Sequence, residues 1–461
     1  MPFTTYEEIR SYGEMIKFVL ENKIMPPWLP KTDYSKIQHD RTVSDEEILL
    51  IKNWVDGGMQ PGNLKPNNRL KIPGERGDKS GSFTSCMEHS FEQYGIYKDQ
   101  YQVFVIPLNN PHPLLAKNIQ LQPGNKKIVR SCKVSVGTSD KWASMDDWDP
   151  RYGYYSFGGL GAVPSFKYWH SWSPFNPDSK EAIKFLPPKS ILLFEVHYGP
   201  TGAPGFDSTC VSFDTLSFGK DNALVRSGPL LNLNNISKKI DSIPSNKTTR
   251  VHSSIELPFA VQIHALTPEA NLLCRNMEVY ATKPSGEVIP LLKITDWLID
   301  WAEKYHFEES IVLPKGTVIH SLVTYNNTTE NPHNPAYPPI SMKWGHGMFR
   351  ERFEMVFDYS LCDTINSNFR LAPVPSVENG ENVRIDYYSE KTDTVTVELV
   401  SLSKENYSHK MKFPISRGPG FIGLPTSKMP IGNYHLKIVD SRGSLIAEDF
   451  LILLREVGFF R

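Results

Sequence analysis

No CxxC pair occurs among the five cysteines, at 86, 132, 210, 274 and 362. That spacing excludes a zinc ribbon, a thioredoxin-like centre and a covalent haem attachment within these residues. Charge of one sign is also lacking: 50 basic residues face 51 acidic ones, so no net field draws nucleic acid or an anionic membrane. No apolar run approaches the roughly 20 residues of a membrane-spanning helix. The N-terminus, "MPFTTYEEIRSYGEMIKFVL", has no basic start, apolar block and small-residue cleavage site, so it is not read as a secretory signal. There is no nucleophile elbow, phosphate loop or dinucleotide fingerprint. What is abundant are turn formers and aromatics: 36 Pro, 30 Gly and 53 Phe, Trp and Tyr together. They predict a mainly β protein of short strands and many turns.

Residues 1–62 read as helical. Thr5 with Glu8 and Ser44 with Glu47 make two capping boxes. Ile9, Tyr12, Ile16, Val19 and Leu20 form one stripe, and Ile48, Ile51, Trp54 and Val55 another. Gly57 and Gly58 end the second helix. Residues 63–97 are polar and read as a linker. Alternating strands follow in three blocks, at 98–230, 247–361 and 370–461, with the polar crossing "LLNLNNISKKIDSIPSNKTT" between the first two.

The order "YQVFVIPL", "LQPGNKKIV", "YGYYSFGG", "ILLFEVHYGPTG", "YATKPSGEVIPLL", "VLPKGTVIHSLVTYNNTTENPHNPAYPP", "KWG" resembles the copper type II ascorbate-dependent monooxygenases. It is closest to bacterial members with an N-terminal cytochrome c-like domain, over residues 1 to 360. The resemblance implies a small helical cytochrome c-like domain and two tandem jelly-roll-like β-sandwiches, each holding one copper. One copper would relay electrons and the other activate oxygen. In such members a "MPPW" turn offers a methionine sulfur to a c-type haem. Here that residue is Met25, with Pro26, Pro27 and Trp28 after it. The attachment motif would lie upstream of Met1. The alternative is that Met25 and Trp28 pack between the two helices.

The resemblance also places the copper ligands, and there this sequence departs from the family. The two adjacent histidines of the first site fall on Arg130 and Ser131, while the third is kept as His197. The His-x-His of the second site reads Gln262 and His264, and its methionine position falls on Arg352 and Phe353. One imidazole per site binds copper weakly, and a permanently charged guanidinium repels it. His346, Met348 and His252 are candidate substitute ligands; otherwise His197 and His264 are buried, hydrogen-bonded remnants. Cys132, one residue from Ser131, should face the other side of its strand.

Weaker features are the acidic turn of Asp146, Asp147 and Asp149, a candidate calcium loop, and the polyproline-like "NPHNPAYPPI". Trp169, His170 and Trp172 would line an exposed contact or pack in a core. Residues from about 370, with "APVPSVENGENVRIDY" and "LPTSKMPIGNYHLKIVDSRGSLIAEDFLIL", resemble the Ig-like type A sorting domain of type IX secretion in Bacteroidota. A generic β-sandwich adhesion module is the alternative. Together these resemblances imply a secreted, periplasmic or cell-surface protein. The reading favours a degenerate, non-catalytic component of an extracellular or periplasmic assembly, with no cofactor in this chain and protein partners rather than nucleic acid. An active copper monooxygenase with rearranged ligands is one alternative. A haem electron-transfer protein is the other.

Overall fold

The computed structural model describes residues 5–62, 83–95, 98–139, 141–156, 165–171, 183–219, 224–345, 347–362, 368–374, 377–378, 382–403 and 407–454. Three helices come first: α1 (Tyr6–Ser11), α2 (Gly13–Glu21) and α3 (Asp45–Asp56). Both capping boxes form, Thr5 accepting from the Glu8 N–H and Ser44 from the Glu47 N–H, each at 3.2 Å. The first stripe is divided between α1 and α2, because the Tyr12 backbone leaves the helical region, at φ −108° and ψ 8°, and Gly13 begins a new helix. Ion pairs Lys17–Asp56 and Lys52–Glu21, both at 2.6 Å, clip α2 to α3. Of the residues expected to face inward from α3, only Val55 is buried. Gly58, at φ +84°, ends the helix in the left-handed conformation that glycine permits.

The remainder is mainly β. In the first block, a four-stranded and a five-stranded antiparallel sheet share one apolar core. The second block packs Arg226–Leu231, Glu354–Leu361, Val261–Glu269 and Tyr305–Leu313 against Lys247–Glu256, Val318–Asn327, Cys274–Thr282 and Val288–Ile294. The third block pairs a three-stranded with a five-stranded sheet. Among the described residues, no helix is long and apolar enough to cross a membrane.

Two boundaries differ from the sequence reading. The stretch read as a linker carries strands Phe83–Cys86 and Phe91–Gln93, and the first of these pairs with Cys210–Ser217. A disulfide, Cys86–Cys210, locks that pair; its partners are 124 residues apart, beyond any local signal. Strand Arg226–Leu231, assigned to the first block, pairs with Glu354–Leu361 in the second. Asp146 and Asp147 also differ: they lie in a helix, α4 (Lys141–Trp148), while Asp149 is gripped by Arg151 at 3.0 and 3.1 Å.

The "MPPW" turn leads into a segment that packs on the second block rather than between the helices. Trp28 meets Tyr305 edge-on at 5.8 Å and lies beneath the Arg41 guanidinium at 4.7 Å. Arg41 donates to the Pro27 carbonyl at 3.0 Å and pairs with buried Glu303. Pro30 bridges to Ile294 and Ile37 to Phe307, so residues 28–41 span the edge strands of both sheets of this sandwich. Met25 stays outside, 47% exposed.

Candidate functional site

Two strand rows of the first block face the second block and form a cleft. Cross-strand partners share a face of the sheet. Tyr101, His197, Ser131 and His170 are therefore neighbours in one row across four strands. Two residues along, Glu195, Lys133 and Tyr168 make the next row. Cys132 faces the opposite way, into the first block's core, as the two-residue period requires. From the second block come Thr267, Glu269, Trp297 and Arg352, leaving a cavity of about 120 Å³.

Ionic groups fill the contact. Lys133 Nζ lies 3.5 Å from Glu195 and 3.0 Å from Glu269. Arg352 reaches Glu269 at 3.1 Å and Glu354 at 3.3 Å. Burial alone would lower the Lys133 ammonium, but Glu195 and Glu269 outweigh it and hold it well above its ordinary value. Burial raises Glu195 and Glu354, against the pull of Lys133 and Arg352 respectively. Beside this network Asp358 takes Lys304 at 2.6 Å and Lys184 at 3.0 Å. Burial would raise Asp358, yet the two lysines hold it well below the carboxylate range. Lys133 and Lys304 both lie 5.6 Å from the Tyr168 ring centre.

The positions that the resemblance assigns to copper fall into separate surroundings. His197 Nε2 is 2.8 Å from Asp99, and its ring stacks on Tyr101 at 4.4 Å. Tyr101 in turn donates to Asp300 of the second block. Arg130 lies over Gly199, where a Cβ would collide with it; the His197 hydrogen bond, with a smaller part from the Arg130 charge, keeps Asp99 below its ordinary range. Ser131 lines the cleft. His264 sits between Ser310, at 2.8 Å from Nδ1, and Ser360, at 3.0 Å from Nε2. Gln262 lies opposite Ser360 and Val312. Since Glu354 pairs with Glu269 and Asp358 with Ala265, Arg352 is displaced from His264 by roughly 20 Å along the strands. Phe353 is in the core, 1% exposed. Met348, 42% exposed, lies in a turn beside Asn271. His252 is on the other sheet of the second block, bonded to His320. His346 and Trp172 lie outside the described residues.

The structure thus does not gather His264, Met348, His252 and Arg352 around one point. Copper(I) needs two or three soft or imidazole ligands converging, and the described residues contain no group of three or more His, Cys, Asp or Glu placed to hold a metal. The cleft residues that local sequence reading missed are Lys133, Glu195 and Glu269, whose partners are distant in the chain.

Met25 gives a different result when tested against haem. Its thioether is accessible, and Met15, Phe18, Ile24, Leu49 and Leu50 around the helices are 39–70% exposed. An accessible soft ligand with apolar surface nearby fits a flat apolar group.

His170, open to either reading from sequence, is buried in the cleft. Burial first, then Arg41 and His197, push its pKa down to about 3. An unfolded histidine titrates near 6.5. The folded value is lower, so this contribution is present above pH 6.5 and is lost as pH falls towards 3. At about 1.4 kcal/mol per unit, it amounts to at most roughly 4–5 kcal/mol. Urea unfolding between pH 7 and 4 should therefore show a shallower acid loss in His170→Gln than in the wild type. Parallel profiles would remove His170 as the cause.

No family model matches the chain, and no curated protein matches it. Among solved structures it is similar to a β-D-mannosidase from Dictyoglomus thermophilum at 13% identity, covering 45% of this chain and 29% of that one, with a TM-score of 0.15. A DUF4785 family protein from Legionella pneumophila matches at 10% identity over 80% and 92% of the two chains, TM-score 0.15. The chicken CNTN1 FN1–FN3 domains match at 10% identity over 74% and 99%, TM-score 0.15. At these scores the likenesses carry no argument about fold or activity.

Proposed function

We propose that this chain is a degenerate relative of the copper type II ascorbate-dependent monooxygenases, retained as a non-catalytic binding or structural component of an extracellular or periplasmic assembly. On this reading residues 98–361 are two jelly-roll-like sandwiches whose metal chemistry has been replaced by ion pairing. The observation that carries it is the Lys133–Glu195–Glu269–Arg352–Glu354 network in the contact between the two blocks. Lys133 and Arg352 there supply buried positive charge through directed N–H donors. The two retained histidines have protein partners instead, Asp99 for His197 and two serines for His264. These residues do not fit copper.

The Ig-like C-terminal sandwich is read as a sorting-type domain for delivery to the cell surface. The Cys86–Cys210 disulfide supports an oxidising compartment.

The test is ascorbate-driven oxygen uptake by copper-loaded protein, together with copper retained after dialysis. No uptake above the free-copper background is expected, and His197→Ala and His264→Ala should leave retained copper unchanged. Uptake that either substitution abolishes would establish the copper enzyme instead.

A second reading rests on the exposed Met25. If a haem attachment motif precedes these residues, Met25 would supply the axial sulfur and the apolar side chains of α2 and α3 would hold the ring. The group would then supply one-electron transfer. Iron per chain in protein from its native source decides this: near one supports haem, near zero removes it.

A further inference from the structure

Outside the cleft, the outward face of the second block's other sheet brings two imidazoles together. His320, in Val318–Asn327, lies opposite Ser254, and His252, in Lys247–Glu256, lies opposite Leu322. The two histidines are therefore diagonal neighbours on adjacent strands. His252 Nε2 and His320 Nδ1 are 3.3 Å apart, with the ring planes 12° from parallel. Tyr280, opposite His320 on its other side, stacks on that ring at 4.8 Å and limits its rotation. Both imidazoles are half-buried, which restrains them while leaving access from solvent.

The separation is the informative quantity. Without a metal this separation is a long N–H···N hydrogen bond, one ring donating and the other accepting. Two nitrogens on one tetrahedral zinc, each bonded at 2.0–2.1 Å, stand about 3.3–3.4 Å apart. Right-angled ligands on square-planar copper(II) at similar bond lengths would be nearer, at about 2.9 Å. The nearby carboxylate, Glu278, opposite Leu322, is engaged by Lys293 at 3.1 Å. Protein would thus supply two nitrogens and water the remaining positions.

We infer that His252 and His320 form a solvent-open site for one divalent metal ion of zinc type, on the sheet face away from the cleft. The site is independent of the copper-like positions. The first experiment titrates zinc chloride into chelator-stripped full-length chain by calorimetry. One zinc per chain is expected, weakened roughly ten-fold or more in His252→Gln and in His320→Gln, and unchanged in His264→Gln. Equal binding in all three variants, or no stoichiometric binding to the wild type, overturns the proposal. Should either variant fold poorly, diethylpyrocarbonate labelling of the wild-type chain gives a second readout. Zinc should protect His252 and His320 from modification, and labelling of both unaffected by zinc overturns the site.

Discussion

Arg352→Met is expected to destabilise the protein by about 3–5 kcal/mol and to create no copper site. The substitution places the residue that the family resemblance calls for at that position, so it separates ancestry from present chemistry. Arg352 has a side chain only 4% exposed, and its two partners, Glu269 and Glu354, are 15% and 17% exposed. Methionine would leave Glu195, Glu269 and Glu354 with Lys133 as the remaining cation of the network. An unpaired buried carboxylate must either be desolvated at a cost or take up a proton. Adding Glu354→Gln should recover part of the loss, and the double-mutant cycle measures the coupling directly. Copper would gain nothing, because the new sulfur would be roughly 20 Å from His264 along the strands. Chemical denaturation at neutral pH reads the first effect. A loss below about 1 kcal/mol, as for exposed pairs, would mean the network is hydrated.

The second large effect concerns the C-terminal sandwich. Phe450 is 2% exposed and packs against Phe259 at 4.7 Å and Tyr359 at 5.7 Å, both in the second block. Next to it, Asp449 accepts from Arg226 Nε at 2.5 Å and from Tyr359 at 3.1 Å. Asn433 binds Asn232 and Asn234, each at 3.1 Å. Phe450→Ala should cost about 3–5 kcal/mol, a typical loss for a buried aromatic. The midpoint of the whole protein should move with it, as one cooperative transition in scanning calorimetry. A chain stopped after Leu361 should fail to give a stable second block, since Phe259, Tyr359 and Arg226 would lose their cover. Two well-separated melting transitions, with only one shifted by Phe450→Ala, would instead describe a tethered and removable tail.

Local chemistry was legible in the sequence, and long-range chemistry was not. The helix starts at Thr5 and Ser44 could be read because a capping box is complete within four residues. The face of Cys132 could be read because strand alternation is equally local. The mainly β character followed from turn formers and aromatics. The cleft is different: Lys133 meets Glu269 across 136 residues, and nothing in the sequence around either residue announces the other. The same holds for Arg226 with Asp449, 223 residues apart. His170 stands in an aromatic stretch whose composition suits a core and a contact surface equally. The resemblance to the copper family directed attention to Arg352, but only strand register showed how far it lies from His264.

Residues 28–41 have a consequence for handling the protein in pieces. A strand at the edge of a sheet offers unpaired N–H and C=O groups to any passing chain. This segment covers Ile294 at one such edge and Phe307 at the other, held by Trp28 and by Arg41 paired with Glu303. An expression fragment beginning after the helices would uncover both edges at once. It would invite strand-to-strand association between molecules and give fibrous or insoluble material, although every strand of the sandwich would still be present and only Leu29 and Ile37 would leave its buried core. The unit that folds cleanly therefore begins upstream of the strands that form its core.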